Sequence, residues 1–343
     1  MQIRTTRRRR TTWATAASAL VMVGGITVMA TTAAAAPVAK PKAITFALIP
    51  GITSDPFYIT LANGAYSEAK ILGVNLVLLG SATAFSPETQ IPVVNAEFAK
   101  KPSALLIAPT DSVALFAPMQ RYAKAGIPVI SVDTGLKNTS FLTSHITSSN
   151  YNGGELAADE LASFCHNKGK VLIMSTNAGS SNVDNRTAGF TYEIKKYKGI
   201  KQLPTQFDND SATQASTLTQ SSILANPTLC GVFGLNSASG AGVGAGIQAA
   251  GKKGKVFGVG FDAEPAEVAS LRSGVLSGLI AQSPTLEGAL AVEYAYYAVT
   301  GQKQLIEKNV QFVNHEITTA NVNQKSGEQF FYSATINTDG VKA

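Results

Sequence analysis

Histidine, tryptophan and cysteine are scarce in this sequence, which holds three His, one Trp and two Cys among 343 residues. The three histidines, His145, His166 and His315, are too few and too far apart for a metal cluster or a catalytic triad. The G-x-S-x-G nucleophile motif and the paired-cysteine spacing of zinc sites are also absent. We therefore expect no enzyme activity, no metal and no cofactor.

Acidic residues are missing from the first 36 positions, which contain Arg4 and four further arginines at 7–10. An apolar stretch at 13–30 follows, and then a run of small residues up to Ala36. A basic start, a short apolar segment and an A-x-A site are typical of a signal peptide. We expect export to the periplasm or the bacterial cell surface, with cleavage near Ala36. A retained membrane anchor is the alternative, although the apolar stretch is short for a span. Whether export uses the general secretory or the twin-arginine route stays open.

A charge excess of one sign is also missing once this leader is removed. Lys and Arg then fall from 28 to 23 while Asp and Glu stay at 22, which leaves a net charge of +1 (23 − 22). That balance lacks the basic footprint of a nucleic-acid-binding protein. The remaining 307 residues (343 − 36) suffice for two ordinary domains.

Short apolar runs alternate with helical patterns along most of the remaining chain. Strand candidates are residues 44–49, 75–79, 104–108, 128–132, 171–174, 202–207, 231–235, 256–259 and 279–281. Helix candidates include residues 57–72, 115–125, 153–164, 213–224, 266–272 and 286–299. Strands that alternate with helices of this length predict right-handed βαβ units and parallel sheets. The residues after Asn321 are polar and show no clear period, so we assign no structure there.

Two aspartates end strands at equivalent places of what looks like a repeated unit. Asp133 ends the fourth strand of the first half, and Asp262 ends the fourth strand of the second half. Ligands of open α/β sheets bind outside the carboxyl ends of the strands. Two such sheets that face each other would direct both carboxylates into one cleft.

The motifs along residues 43–322 together resemble the ribose- and galactose-binding proteins, which are type I periplasmic binding proteins of bacterial ABC transporters. The motifs are Asp55-Pro56-Phe57-Tyr58, Pro109-Thr110-Asp111-Ser112, Ile127-Pro128-Val129-Ile130 with Asp133, Ser144-His145-Ile146 with Asn150, Asn185-Arg186-Thr187-Ala188-Gly189-Phe190, Asn236, Gly258-Val259-Gly260-Phe261-Asp262 and Ile280-Ala281-Gln282. No single motif is specific, but their order and spacing are.

The resemblance implies a fold, a hinge and a function. It implies two doubly wound parallel-sheet lobes joined by three crossovers near 146–149, 282–284 and 311–313. The lobes would be 43–146 plus 284–310, and 149–281 plus 313–343. It also implies a monomer that closes on a sugar or polyol-like solute and delivers it to the membrane permease of an ABC importer.

The first helix is expected to present three ligand-binding residues. Asp55 precedes Pro56 and can cap that helix, and the same position hydrogen-bonds the solute in the family, usually through Asn. As an ionised acceptor, Asp55 would favour a ligand face rich in donors. Phe57 and Tyr58 can pack on the C–H faces of a sugar, although core packing alone would also explain them.

Further binding positions follow from the resemblance, together with two departures from it. Asp133, Asn236, Asp262 and Gln282 match polar positions that contact ligand in the family. The ribose binders carry Arg after the first of these aspartates, whereas this chain has Thr134. A second binding arginine falls at Asp184, which leaves Arg186 as the nearest guanidinium, either at the ligand or as a structural residue. The cleft is therefore expected to be more acidic than in ribose binders, and another monosaccharide, a polyol or an amino-bearing ligand stays open.

Three other interpretations compete with a transport receptor. Gly240, Gly242 and Ala245 fit a G-x-G-x-x-A dinucleotide motif, but the motif starts several residues after the strand, and the glycines are better explained by close helix packing. The effector domain of a sugar-responsive repressor shares the fold, yet such proteins begin with a helix-turn-helix and this one begins with an export signal. A receptor for a signalling or chemotactic molecule is the remaining alternative.

The two cysteines, Cys165 and Cys230, are expected to form a disulfide inside the second lobe. Cys165 ends the helix before the lobe's first strand, and Cys230 precedes its third strand. A flavodoxin-like strand order makes these strands neighbours, at the edge of the sheet away from the cleft. Two separate buried thiols are the alternative.

Overall fold

The computed structural model describes residues 43–177 and 179–338. They form two twisted sheets, each covered by helices on both faces. We call the first sheet with its covering helices the first lobe, and the second sheet with its helices the second lobe. The expected signal peptide and its cleavage site at Ala36 lie outside the described residues.

The strands and helices follow one another in βαβ fashion along the chain. The strands are β1 (Thr45–Ile49), β2 (Asn75–Leu78), β3 (Ala104–Ile107), β4 (Val129–Val132), β5 (Ser144–Ser148), β6 (Gly169–Ser175), β7 (Ile200–Gln202), β8 (Gln206–Phe207), β9 (Leu229–Gly234), β10 (Phe257–Phe261), β11 (Gly278–Ala281), β12 (Asn309–Phe312) and β13 (His315–Thr318). The helices are α1 (Pro56–Leu72), α2 (Pro87–Lys100), α3 (Phe116–Lys124), α4 (Asn150–Phe164), α5 (Ser181–Ile194), α6 (Ala212–Ala225), α7 (Ser237–Ala249), α8 (Pro265–Arg272), α9 (Pro284–Val299) and α10 (Lys325–Glu328).

Both sheets are doubly wound. The first has the order β12-β5-β4-β3-β1-β2, and all its pairs are parallel. The second has the order β13-β11-β10-β9-β6-β7, with β8 also paired to β6 and β13 as an antiparallel edge. The predicted fold class of two doubly wound lobes is confirmed. Since parallel strands carry helices on both faces, β3 and β4 are buried along their whole length.

The chain passes from one sheet to the other three times. It leaves β5 of the first sheet for α4, which packs on β10 and α5 in the second lobe. It leaves β11 for α9, which packs on α1 in the first lobe, and it leaves β12 for β13. The α1–α9 contact is tight: a Cβ added to Gly64 would lie 2.0 Å from the carbonyl oxygen of Thr285. Only glycine allows the two helix backbones to approach that closely.

Cys165 and Cys230 are joined by a disulfide, with their Cα atoms 5.7 Å apart. Cys165 caps the end of α4, and Cys230 lies near the start of β9, which pairs with β6. The bridge therefore ties α4 to the sheet at the amino ends of the strands, away from the carboxyl ends where ligands bind.

Three segments differ from the expectations. The extended run at 202–207 is two short strands, β7 and β8, which both pair with β6. Residues 144–148 form a full central strand of the first sheet. The tail after Asn321, to which we assigned no structure, contains α10 and then runs to the first lobe. Within the described ranges, no helix combines the length and apolarity needed to cross a membrane.

Candidate functional site

A cavity of about 590 Å³ lies where the carboxyl ends of the two sheets face each other. The first lobe contributes the start of α1, the loop before α2 and the residues after β3 and β4. The second lobe contributes the loops after β6, β8, β9 and β10 together with α5. Its lining includes Asp55, Phe57, Tyr58, Phe85, Asp111, Asp133, Asn182, Arg186, Asp210, Asn236, Ser237, Asp262 and Gln282.

Asp133 follows β4 in a left-handed conformation, with φ of 62°. Its backbone N–H donates to the carbonyl of Ile146 in β5, which holds the residue at the sheet edge. The side chain is 4 % exposed and accepts two hydrogen bonds, from Tyr58 Oη at 2.7 Å and from Asn182 Nδ2 at 3.0 Å. These donors come from different lobes, so Asp133 joins the two walls of the cleft.

Asp262 follows β10 in the corresponding place, also with a positive φ, of 105°. Its backbone N–H donates to the carbonyl of Ile280 in β11. Its carboxylate accepts from Gln282 Nε2 at 2.7 Å, from Tyr332 Oη at 3.0 Å and from Ser237 Oγ at 3.2 Å. Strained backbone at two equivalent strand ends is typical of residues that serve a site.

The first turn of α1 presents aromatic rings to the cavity. Asp55 is the N-cap of α1 and accepts the backbone N–H of Phe57 at 2.7 Å, while Pro56 opens the helix. Phe57 and Tyr58 contact edge to face, and Tyr58 stacks against Phe85 with their ring centroids 6.4 Å apart. Flat apolar faces beside carboxylates suit a ligand that has both C–H faces and hydroxyls.

Arg186 is the cation of the site and is 2 % exposed. Its Nε donates to Asn150 Oδ1 and its Nη1 to the carbonyl of Leu235, each at 2.8 Å. The guanidinium lies over the ring of Phe261, 3.6 Å from the centroid. Nη2 has no partner within the described part of the protein, although the residue lines the cavity. Arg186 thus has a structural role within the second lobe and is also part of the cavity wall.

Burial and mutual repulsion raise the pKa values of carboxyl groups around the cleft. Burial is the main cause that raises the pKa of Asp133 to about 6, opposed by Arg186 and by the hydrogen bond from Tyr58. Burial, then Asp262 and Asp210, raise the pKa of Glu264 to about 7 despite a hydrogen bond from Ser237. Burial, followed by repulsion from Glu264 across the cleft, also raises the pKa of Asp55. A donor-rich or cationic ligand would relieve this repulsion.

Eight of the residues predicted from the sequence line the same cavity. They are Asp55, Phe57, Tyr58, Asp133, Arg186, Asn236, Asp262 and Gln282. Thr134 and Asp184 do not line it. Thr134 donates to the carbonyl of Pro109, and Asp184 is exposed and accepts the backbone N–H of Gly179.

Three functional candidates were missed by sequence reasoning. Asn182 holds Asp133, Asp210 accepts from Asn236 Nδ2 at 2.7 Å, and Tyr332 holds Asp262. A signal existed for Asn182, because it lies four residues, about one helical turn, before Arg186. No local pattern marked Tyr332. Over residues 43–177 and 179–338, no group of three or more His, Cys, Asp or Glu side chains could hold a metal ion.

A comparison with protein families matches residues 46–303 to the periplasmic binding protein domain. This chain belongs to the periplasmic binding protein family. The ribose import binding protein of Escherichia coli strain K12 is 33 % identical over 261 residues, which cover 76 % of this chain and 86 % of the relative. The predicted resemblance is thereby confirmed.

Solved structures of family members agree with this assignment. An ABC transporter solute-binding protein from Agrobacterium vitis, bound with α-D-tagatopyranose, is 40 % identical with a TM-score of 0.82, covering 84 % of this chain and 99 % of its own. A carbohydrate transporter solute-binding protein from Agrobacterium radiobacter, in complex with D-arabinose, is 30 % identical with a TM-score of 0.80, covering 87 % and 100 %. In this binding protein, the cavity lies between two lobes.

Proposed function

We propose that this protein is the extracytoplasmic solute-binding component of an ABC importer and binds a sugar or polyol-like solute in the cleft between its lobes. The observation that carries the proposal is the pair Asp133 and Asp262, one from each sheet, whose buried carboxylates border a single cavity. The relatives bound with tagatose and arabinose have the same architecture. The membrane permease of the importer is the proposed partner, and the protein is proposed to act as a monomer without catalysis.

The proposed binding motion is a hinge closure about the three crossovers. The moving bodies would be 43–146 plus 284–310, and 149–281 plus 313–343, of which 339–343 lie outside the described residues. One buried cluster lies wholly within each body, and a third contains side chains of both bodies, among them Phe57 and Tyr332. The proposed closure bends the three crossovers and shifts this shared cluster, while the cluster inside each lobe stays packed. Export and removal of the leader near Ala36 are part of the same proposal.

The polar atoms of the cavity favour a ligand with several hydroxyl groups. Asp55 and Asp210 are acceptors when ionised, whereas Asn236 can also donate. Arg186 and Gln282 line the cavity, and each has one buried polar atom, Nη2 and Oε1, without a partner in the described structure. A hydroxyl both donates and accepts, and can therefore satisfy both kinds of atom.

The cavity wall holds more carboxyl groups than cationic groups, so neutral and amino-bearing ligands should bind with different affinities. Asp55, Asp133, Asp210 and Asp262 line the cavity with Arg186 as their cationic counterpart. An ammonium group would offset this excess, whereas a neutral sugar leaves it to be relieved by protonation. Paired compounds that differ only in this group, such as glucose and glucosamine, test the distinction directly.

The test is a thermal-shift screen of the leaderless protein, followed by calorimetry of each hit. The panel contains D-tagatose, D-arabinose, D-ribose, D-allose, myo-inositol, and glucose and galactose each beside its 2-amino analogue. A ligand at 100 times its Kd should stabilise the protein by about 2.7 kcal/mol, which is a readily measured shift. A sugar or polyol that binds at micromolar Kd or tighter supports the proposal. If no compound of the panel shifts the melting temperature and an unrelated signalling molecule does, the proposal is overturned in favour of a receptor for that molecule.

A further inference from the structure

The C-terminal segment 321–337 contacts both lobes and so links them in addition to the three crossovers. Its first part packs on the second lobe, where Arg272 Nε donates to Asn323 Oδ1 at 3.1 Å. The ring of Phe330 stacks on His315 with centroids 3.6 Å apart, and Arg272 lies over Phe331. These contacts fix the segment up to Phe331 against the second lobe.

The next residue, Tyr332, enters the space between the lobes and is 5 % exposed. Its backbone N–H donates to the carbonyl of Ala263, and its ring meets the edge of Phe57 in the first lobe at 5.8 Å between centroids. Its hydroxyl donates to Asp262 Oδ1 at 3.0 Å and accepts the backbone N–H of Gln282 at 2.9 Å. One phenol therefore fixes the distance between the loop after β10 and the end of β11.

Beyond Tyr332 the chain lies along α1 of the first lobe. The backbone N–H of Ser333 donates to Thr60 Oγ1 at 2.7 Å. Asn63 accepts the backbone N–H of Asn337 at 2.7 Å and donates to the carbonyl of Thr335 at 2.9 Å. We call residues 333–337 the strap. Its contacts with α1 are directional hydrogen bonds, which a small shift of one lobe would break.

We propose that Tyr332 is a positioning residue for ligand binding, which orients the Asp262 carboxylate and the Gln282 amide, and that the strap seats Tyr332 by docking on α1. Tyr332 does not line the cavity, so it acts through Asp262 and Gln282 and not through the ligand. The proposal rests on the proposed function only in taking these two residues as ligand-binding.

The hydroxyl of Tyr332 also favours the ionised form of Asp262. Burial raises the pKa of Asp262, while Arg186 and the hydrogen bonds from Gln282, Tyr332 and Ser237 lower it. The other charged groups that interact with Asp262 are the carboxyls of Asp55, Asp133, Glu264, Glu267 and Glu287. Removal of one donor should shift the titration of Asp262 to higher pH, whereas a loosened pocket would reduce the burial of Asp262 and shift its titration to lower pH.

The first experiment compares Tyr332→Phe with Tyr192→Phe, which removes the hydroxyl of an exposed tyrosine on α5. The carboxyl carbon of Asp262 is titrated by NMR in the ligand-free, aspartate-labelled protein and assigned with Asp262→Asn. We expect a higher pKa of Asp262 in Tyr332→Phe and none of that change in Tyr192→Phe. An unchanged titration in Tyr332→Phe overturns the positioning role. Since no ligand is used, this result is independent of the proposed function.

The second experiment measures D-tagatose binding by calorimetry from about pH 5 to pH 8. Tyr332→Phe should weaken binding about tenfold at neutral pH, since a hydrogen bond to a charged group is lost. The weakening should grow as the pH falls. An affinity and a pH profile of Tyr332→Phe that equal those of the unmodified protein overturn the inference. If D-tagatose binds neither protein while the titration differs, the positioning role stands, D-tagatose is excluded as the ligand, and the measurement is repeated with the hit of the sugar screen.

The strap is tested separately through Asn63→Ala, with Asn152→Ala on the exposed face of α4 as the control. Hydrogen exchange of residues 332–337 should accelerate in Asn63→Ala, because the acceptor for the Asn337 amide is gone. The pKa of Asp262 should move in the same direction as in Tyr332→Phe, by less. Unchanged exchange, or faster exchange with an unmoved Asp262 titration, would contradict the seating of Tyr332 by the strap.

Discussion

Asp133 and Asp262 have the same backbone arrangement in two separate sheets. Each follows the strand before an inter-lobe crossover strand, each has a positive φ, and each donates its N–H to an isoleucine carbonyl of that next strand, Ile146 or Ile280. The two carboxylates thus reach one cavity by the same local geometry. Non-glycine residues adopt a positive φ only at an energetic cost. The repetition of a positive φ at both aspartates therefore indicates that the backbone is held in this conformation to place a carboxylate in the cavity.

Loss of either carboxylate should remove most of the binding. Asp133→Asn and Asp262→Asn keep the shape but replace a charged acceptor, so we expect affinity for the hit from the sugar screen to fall by about 10- to 100-fold. Asp159→Asn, on α4 outside the cavity, is the control and should bind like the unmodified protein. Calorimetry checks this, and tight binding by both cleft variants would contradict the assignment.

Arg186, which lines the cavity, should also stabilise the folded protein. Arg186→Lys keeps the charge but cannot reach both Asn150 and the Leu235 carbonyl, so we expect a loss of about 2–4 kcal/mol of unfolding free energy. The matched control is Arg121→Lys, an exposed arginine that also lies over a ring, that of Phe98. Its cost should stay below about 1 kcal/mol in urea denaturation. Equal losses in both variants would contradict the structural role of Arg186.

Glu287, at the start of α9 beside the second crossover, should make stability pH-dependent. Burial, and next the charge of Asp133, raise its pKa to about 8 although Ser148 donates to it at 2.6 Å. The folded protein therefore holds a proton that the unfolded chain releases above its ordinary value of 4.5. Stability from this group is complete below about pH 4.5 and is lost as the pH rises through about 8.

Glu287→Gln should remove that loss, because the amide cannot ionise. Between about pH 5 and pH 8 the variant should gain stability relative to the unmodified protein, on the order of 3 kcal/mol at the upper end. Glu307→Gln, which changes an exposed carboxylate, should leave the pH profile as it was. Urea denaturation at several pH values measures both, and parallel profiles for Glu287→Gln and the unmodified protein would show the expectation to be wrong.

The disulfide should stabilise the second lobe without affecting the site. Replacement of both Cys165 and Cys230 by serine should lower the free energy of unfolding by about 2–4 kcal/mol. Affinity should be unchanged, because the bridge lies at the opposite end of the sheet from the cavity. A reductant should destabilise the unmodified protein and leave the double variant alone. Two titratable thiols in the denatured, unreduced protein would contradict the bridge.

Much of the architecture follows from local sequence alone. Buried parallel strands must be continuous apolar runs and their covering helices must be amphipathic, so the alternation of these patterns predicts doubly wound sheets. The strand ends then locate Asp133 and Asp262, because ligands bind at the carboxyl edge of such sheets. The closeness of the two cysteines follows from the same strand order, because Cys165 ends the helix before β6 and Cys230 lies at the start of the neighbouring strand β9.

The tertiary structure decided which face of α5 reaches the cavity and how Tyr332 contacts the site. On α5, Asn182 and Arg186 lie one turn apart and face the cleft, whereas Asp184, midway between them, points to solvent. With about 100° of rotation per residue, only the packing of α5 against α4 sets which face is inward. Tyr332 reaches Asp262 across 70 positions of sequence, in a tail without periodicity. Such a contact depends on where both lobes place the chain, and no local pattern encodes it.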